Sequence, residues 1–202
     1  MNVANKLTIA RIALIPIFIV LVFVEFPWHM TAATAVFCIA CITDFFDGYI
    51  ARKTNTVSAL GKFLDPIADK MLCACALIAV SVLAITEPVV EHKAFYICIV
   101  IYTMVILCRE IMISGFRIIA ADKGVVLAAD IYGKIKTASQ MVALILLLPV
   151  SDVFGIGGQG AELASAIIFY IGFGLLSFSM IMTVLSGVRY IVLNKAVLKG
   201  DK

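Results

Sequence analysis

The segment TDFFDGYIARKTNTVSALGKFLDPIADK, residues 43–70, places four aspartates in a chain that is otherwise strongly apolar. The 202 residues are 63% hydrophobic and only 14% charged, and the mean hydropathy of +1.13 is typical of integral membrane proteins and excludes an ordinary soluble domain. A carboxylate inside a bilayer costs about 2.5–3.5 kcal/mol on insertion scales. A fold for this chain must therefore include something that neutralises the aspartates.

Six apolar runs are each close to the roughly 20 residues that a helix needs to cross a bilayer. They cover residues 7–25, 31–51, 63–86, 94–116, 132–150 and 163–193. The fifth run reaches full length only if it includes the turn around Tyr132, and GIGG at 155–158 predicts a turn. No linker rich in Pro, Gly or Ser divides the chain. The sequence predicts an all-α membrane protein, a bundle of six transmembrane helices that forms a single domain over residues 1–202.

The basic residues predict the orientation, because cytoplasmic loops of membrane proteins carry most of the Lys and Arg. Fifteen of the sixteen lie on one side of the six runs, and Lys93 alone lies on the other. We expect both termini and the aspartate segment at the cytoplasmic face of the cytoplasmic (inner) membrane. No basic tract with interleaved aromatics is present, so no nucleic-acid partner is expected.

The aspartates fall into two pairs with helical spacing. Asp44 and Asp47 are three residues apart, and Asp65 and Asp69 are four apart, so each pair shares one helix face. Two such faces opposed would form a box of oxygens whose four charges two divalent cations could balance. Ligands that are all oxygen favour Mg²⁺, then Mn²⁺ or Ca²⁺, over Zn²⁺. We expect a two-metal site for phosphoryl-type transfer; a buried ion-pair network is the alternative.

Neighbouring residues fit a phosphate ligand at the same place. Gly48 and Gly61 leave space for a ligand to approach the backbone, although close helix packing explains them equally well. Arg52 offers a guanidinium suited to a diphosphate. Pro66 either begins a helix, with Asp65 as its cap, or interrupts a helix that began earlier.

A second polar cluster lies between residues 108 and 140. Its cations Arg109, Arg117, Lys134 and Lys136 have Glu110 and Asp130 as candidate partners. Four cations suit an acceptor that carries a phosphate, because guanidinium and ammonium groups bind phosphate by charge-assisted hydrogen bonds. The alternative is that they only anchor the chain at the cytoplasmic surface.

The aspartate segment resembles the signature D-x2-D-G-x2-A-R-x8-G-x3-D-x3-D of the CDP-alcohol phosphatidyltransferase family. The match holds at every fixed position: Asp44, Asp47, Gly48, Ala51, Arg52, Gly61, Asp65 and Asp69. The resemblance implies transfer of a phosphatidyl group from a CDP-linked lipid to an alcohol, with CMP as the leaving group. It also suggests a homodimer.

The same resemblance implies a role for each signature residue. Asp44, Asp47 and Asp65 would bind two Mg²⁺ (or Mn²⁺) ions, and Asp69 would act as the base on the acceptor hydroxyl and as a candidate further ligand. The remaining signature positions would line the nucleotide and diphosphate: Gly48, Ala51, Arg52 and Gly61.

Three further segments are similar to the branch of the family that makes phosphatidylglycerophosphate: NKLTIAR at 5–11, REIMISGFR at 109–117 and GKIKTASQ at 133–140. This implies CDP-diacylglycerol as donor and sn-glycerol 3-phosphate as acceptor. Asn5, Thr8 and Arg11 would approach the nucleotide, although capping of the first helix explains Asn5 and Thr8 equally well. Inositol phosphate is the nearest rival acceptor, and serine fits the cation cluster less well. A cation transporter is the rival of a different class.

Overall fold

A computed structural model describes the backbone of residues 3–54, 59–122 and 131–193. Within these ranges the side chains of residues 3–8, 44–54, 59–66, 69, 119 and 121–122 are outside the description. All the regular secondary structure of the described backbone is helical, which confirms the predicted all-α class.

Seven helices make up the described backbone, six of them long. They are α1 (Val3–Phe23), α2 (His29–Thr54), α3 (Ala59–Thr86), α4 (Lys93–Asp122), α5 (Ile131–Leu147), α6 (Val150–Gly155) and α7 (Gln159–Leu193). Each long helix corresponds to one of the six apolar runs, and α6 is a short addition. Since α5 begins at Ile131, the fifth helix does include Tyr132, as expected.

Proline and glycine define two local features. α3 begins at Ala59, so Pro66 lies inside a helix that started earlier and does not begin one. Gly157 and Gly158 have φ values of 76° and 88°, a backbone conformation that glycine adopts without steric cost. The predicted turn at 155–158 is therefore confirmed, and it reverses the chain between α6 and α7.

The chain is a membrane protein. In the described part of the chain, three helical segments are long and apolar enough to cross a bilayer: Lys93–Ile118, Ile131–Gly155 and Gln159–Leu193. Three shorter apolar helical stretches accompany them: Ile9–Phe23, His29–Thr43 and Lys70–Thr86. Many large apolar side chains are exposed on these helices, with Ile111 on α4 among the most exposed, as expected of a surface that faces lipid.

Side-chain contacts define the direction of neighbouring helices. α1 and α2 are antiparallel, with the rings of Phe18 and Phe37 6.2 Å apart. α3 and α4 are antiparallel, with the hydroxyls of Ser81 and Thr103 2.8 Å apart. The helices therefore alternate in direction along these two pairs.

α5 and α7 are the most extensively packed pair among the described helices, and they are also antiparallel. A Cβ on Gly172 of α7 would lie 2.8 Å from Cγ of Leu147 on α5. Glycine at this position allows the two helices to approach closely, as small residues do in membrane bundles.

The two ends of the bundle differ in character. At one end, called the outer end here, the start of α2 meets α6. There Thr31 donates hydrogen bonds to Asp152 from its backbone nitrogen and its hydroxyl, at 2.6 and 2.8 Å. The opposite end, called the inner end here, contains the last turns of α4 and α7 and the first turns of α5. The last turns of α2 and the first turns of α3 point to the same inner end.

Candidate functional site

The backbone places all four signature aspartates on helices that lead to the inner end. Asp44 and Asp47 lie in the second half of α2, and Asp65 and Asp69 lie in the first half of α3. Helical backbone at both pairs agrees with the prediction that each pair shares a face. Their side chains lie outside the described residues, as do the other predicted donor-site side chains: Gly48, Ala51, Arg52, Gly61, Asn5 and Thr8.

A buried cation lies on the helix that packs against both aspartate-bearing helices. Arg11 ends the NKLTIAR segment, is 1% exposed, and belongs to α1, which contacts α2 and α3. A buried guanidinium requires anionic or hydrogen-bonding groups around it. Arg11 therefore brings positive charge into the bundle next to the helices that carry the signature.

Glu110 joins two of the predicted acceptor cations. Its Oε1 atom accepts a hydrogen bond from Nζ of Lys136 on α5 and lies 3.6 Å from NH1 of Arg109. NH2 of Arg109 in turn donates to the Ser186 hydroxyl of α7 at 2.9 Å. One carboxylate therefore holds cations from two helices, as the candidate pairing of Glu110 predicted.

A hydrogen-bonded path connects this cluster to the helix that carries Asp69. Lys70, the next residue after Asp69, donates from Nζ to the Ser114 hydroxyl of α4. The Ser114 hydroxyl donates to the backbone carbonyl of Glu110 at 2.5 Å. The aspartate helix and the acceptor cations thus meet on one and a half turns of α4, from 109 to 114.

The other two predicted cations take different positions. Nε of Arg117 donates to the Tyr190 hydroxyl at 3.3 Å, and its guanidinium carbon lies 5.5 Å from the centroid of the same ring. Lys134 is exposed, whereas Lys136 is buried, because residues two apart on a helix point about 200° away from each other. The structure therefore groups Arg109 with Lys136, places Arg117 two turns farther along α4, and separates Lys134 from Lys136.

A polar stripe on α7 is a feature that the sequence analysis missed. It consists of Ser179, Thr183, Ser186, Gly187 and Tyr190, all buried on one face of the helix. The spacing of four, three, one and three residues matches the helical repeat. That spacing was readable in the sequence, but small polar residues in a membrane helix also serve plain helix packing, so the pattern alone gave no reason to assign them to the site.

The polar stripe of α7 contacts two of the predicted acceptor cations, Lys136 of α5 and Arg109 of α4. The Ser179 hydroxyl donates to the backbone carbonyl of Lys136 at 3.1 Å. A Cβ on Gly187 would lie 3.3 Å from Cγ of Arg109, so the absent side chain leaves room for the arginine to lie against α7. The stripe on α7 thus packs against Arg109 and against the backbone of Lys136.

Metal ligands are expected from the signature and not from the rest of the site. Among the described side chains, no group of three His, Cys, Asp or Glu residues is arranged to hold a metal ion. The described cluster is instead rich in donors: Arg109 and Lys136 lie at the Glu110 carboxylate, and Lys70 bonds to the nearby Ser114 hydroxyl. Such a cluster suits an anion.

Comparison with known proteins identifies the class of protein. The chain matches the family model for CDP-alcohol phosphatidyltransferase over residues 1–161, most of its 202 residues. It therefore belongs to the CDP-alcohol phosphatidyltransferase family, which confirms the resemblance of the signature. It is a membrane-bound transferase of phospholipid biosynthesis.

The chain is also similar to individual bacterial proteins named CDP-diacylglycerol–glycerol-3-phosphate 3-phosphatidyltransferase. It is 40% identical to the one from Bacillus subtilis (strain 168) over 160 residues, covering 73% of this chain and 76% of that relative. It is 36% identical to the one from Salmonella paratyphi A over 182 residues, covering 89% and 91%. For Escherichia coli (strain K12) the identity is 35% over 182 residues, again covering 89% and 91%.

Proposed function

We propose that this chain transfers the phosphatidyl group of CDP-diacylglycerol to sn-glycerol 3-phosphate, giving phosphatidylglycerophosphate and CMP. Family membership supports the reaction class, and the names of the similar bacterial proteins support the two substrates. The observation that carries the acceptor assignment is the path from Lys70 through Ser114 to Glu110 and Lys136. A cluster rich in cations beside the helix of the proposed base supports an acceptor that carries a phosphate.

The donor set of the signature fits two divalent cations. Four carboxylates supply only hard oxygen ligands, and the continuous helices α2 and α3 preserve the spacing that brings each pair to one face. Asp44, Asp47 and Asp65 would hold the ions, with Asp69 as a candidate fourth ligand. Mg²⁺ is the first choice and Mn²⁺ the second. Bound there, the ions would offset the charge of the diphosphate and of the CMP leaving group.

The protein residues divide the remaining work. Asp69 takes the proton of the acceptor hydroxyl while the hydroxyl oxygen forms a bond to the phosphatidyl phosphorus. The bond from that phosphorus to the oxygen of CMP breaks at the same time. Of the predicted acceptor cations, Arg109, Arg117 and Lys136 bind and orient the phosphate of the acceptor. Lys134, on another face of α5, contributes positive charge at the inner end.

The donor nucleotide has its own proposed set of residues. Arg52 binds the diphosphate, and the small residues beside it let the nucleotide approach the helix backbone. The full set is Gly48, Ala51, Arg52 and Gly61 with Asn5 and Thr8. The two acyl chains remain among the membrane lipids while the headgroup enters the site.

The proposed arrangement in the membrane follows from the uneven distribution of Lys and Arg along the chain. The six long helices cross the bilayer, so that both termini and the inner end lie on the cytoplasmic side of the inner membrane. Residues 1–202 form a single domain, and two copies associate as a homodimer.

The proposal is tested with purified protein, CDP-diacylglycerol and Mg²⁺ or Mn²⁺. CMP release should require glycerol 3-phosphate and should stop when EDTA removes the metal. Inositol phosphate and serine, supplied at equal concentration, should support much slower release. A preference for inositol phosphate would contradict the acceptor assignment, and activity that survives EDTA would contradict the metal site.

The base is tested by Asp69→Asn. The variant keeps the size of the side chain and should still bind CDP-diacylglycerol, but its turnover should fall by about 10²–10⁴-fold because it cannot accept the proton. Lys93→Ala, at the outer end of the bundle, is the matched control and should leave turnover unchanged. Normal turnover in Asp69→Asn would remove Asp69 as the base.

A further inference from the structure

The ion pair of Glu110 spans a gap between two helices. α4 and α5 both pack against α7, but their described backbones scarcely approach each other. The hydrogen bond between Glu110 of α4 and Lys136 of α5 crosses this gap at one level of the inner end. Among the described side chains, the Glu110 carboxylate therefore links the cation of α5 to the cation of α4.

The exposure of the partners shows which of them faces the open side of the gap. The side chain of Lys136 is 4% exposed and that of Glu110 is 23% exposed. A buried ammonium without a counter-charge is strongly unfavourable, and the Glu110 carboxylate supplies a negative charge to Lys136. The carboxylate is therefore the more accessible partner of the pair.

Arg109 is held from two directions and retains hydrogen-bond donors. Its NH2 atom is bonded to Ser186, while its NH1 atom lies 3.6 Å from the Glu110 carboxylate. That separation is beyond hydrogen-bond length, so the attraction orients the guanidinium without using an NH1 donor. A guanidinium has five N–H donors, enough to bind a phosphate as well.

We propose that Glu110 is a positioning residue of the acceptor site: its carboxylate holds Lys136 and Arg109 in the relative arrangement that binds one phosphate. Glu110 itself does not touch the phosphate, which it would repel. The inference rests on the proposed function, since it names a residue that organises the phosphate site of the acceptor. It assigns to Glu110 a part in acceptor affinity and no part in binding the CDP-lipid.

The decisive variant is Glu110→Gln, which keeps the shape of the side chain and an oxygen for Lys136 but removes the negative charge that attracts both Lys136 and Arg109. The KM for glycerol 3-phosphate should rise about tenfold, the effect of losing one charge-assisted interaction. The Ki of inorganic phosphate, measured as a competitor of the acceptor, should rise in parallel, and the KM for CDP-diacylglycerol should stay within about twofold. Glu110→Asp, which restores the charge on a shorter side chain, should recover part of the affinity.

A stability control separates positioning from a merely structural role. Ser81→Ala removes a buried hydrogen bond between α3 and α4 far from the inner end, and it should lower the thermal midpoint without changing either KM. If Glu110→Gln behaves in the same way, the positioning role is overturned. A lower acceptor KM in Glu110→Gln would also overturn it, because the carboxylate would then only repel the phosphate.

The wild-type protein distinguishes this failure from failure of the proposed function. Wild-type CMP release that does not depend on glycerol 3-phosphate overturns the proposed function and the inference with it. Normal dependence in the wild type together with an unchanged acceptor KM in Glu110→Gln overturns the role of Glu110 alone.

Discussion

α4 and α7 run side by side in the same direction, and their two halves make contact in unlike ways. In the outer half, Phe95 packs edge-on against Phe169 and Phe173, with ring centroids 6.1 and 4.9 Å apart. In the inner half, Arg109 and Arg117 form hydrogen bonds with Ser186 and Tyr190. The same pair of helices thus changes from an aromatic seam to a polar one along its length.

The two seams stabilise the pair by different physics. Apolar side chains gain little by leaving lipid for a helix interface, so the aromatic seam depends on close packing and ring geometry. The polar seam depends on hydrogen bonds that fix where each cation points. We therefore expect substitutions in the aromatic seam to change stability, and substitutions in the polar seam to change the affinity for the acceptor.

The largest effect is expected from breaking the aromatic seam with Phe169→Ala. Phe169 is 4% exposed and lies against the rings of Phe95 and Tyr96, so its truncation leaves a cavity that should cost about 3 kcal/mol. The measurement is the free energy of unfolding in detergent. Ile171→Ala, at a site that is 53% exposed, is the control and should have little effect.

The kinetic side of this experiment tests the comparison itself. Among the Phe169→Ala molecules that remain folded, the KM values for both substrates should equal those of the wild type. A raised acceptor KM would mean that the two seams are mechanically coupled.

The next largest effect is a loss of stability, expected when the close contact between α5 and α7 is disrupted. Gly172→Leu should destabilise the protein by about 1–3 kcal/mol, because the added atoms overlap the buried Leu147 side chain. Gly174→Leu is the matched control, since a Cβ at Gly174 meets no atom within 4 Å among the described neighbours. Equal thermal midpoints for the two variants would contradict the close approach at Gly172.

The sequence was sufficient to predict the outline of this arrangement. Apolar runs of bilayer length predicted the six long helices, and the spacing of the aspartates placed them on α2 and α3. Both predictions rest on local patterns, hydrophobicity and helical period, that a single sequence carries in full. The start of α5 near Tyr132 followed from the same length requirement.

The polar seam could be predicted only in part, because it depends on which helices become neighbours. Arg109 and Lys136 were correctly placed near Glu110, but nothing in the sequence shows that α7 lies behind them. The separation of Lys134 from Lys136 was available from helical geometry, since residues two apart cannot share a face. The backing by Ser186 and Tyr190 required the packed structure.

A smaller effect is expected from removing one cation of the polar seam. Arg117→Ala should raise the KM for glycerol 3-phosphate about tenfold, as the loss of a single charge-assisted contact predicts, and should change the KM for CDP-diacylglycerol much less. Arg189→Ala is the control: its guanidinium carbon lies 4.7 Å from the centroid of the Tyr132 ring, outside the predicted acceptor set. If both variants raise both KM values equally, the cations serve as surface anchors.

The smallest effect is expected from Tyr190→Phe, which separates the two contacts of Arg117. The substitution removes the hydroxyl that accepts the 3.3 Å hydrogen bond but keeps the ring beneath the guanidinium and against Phe116. A long hydrogen bond contributes about 0.5–1 kcal/mol, so the acceptor KM should rise only about two- to fivefold. The thermal midpoint should stay close to that of the wild type, because the ring packing is retained. An effect as large as that of Arg117→Ala would mean that the hydroxyl, and not the ring, determines where the guanidinium points; no effect would mean that the ring alone holds it.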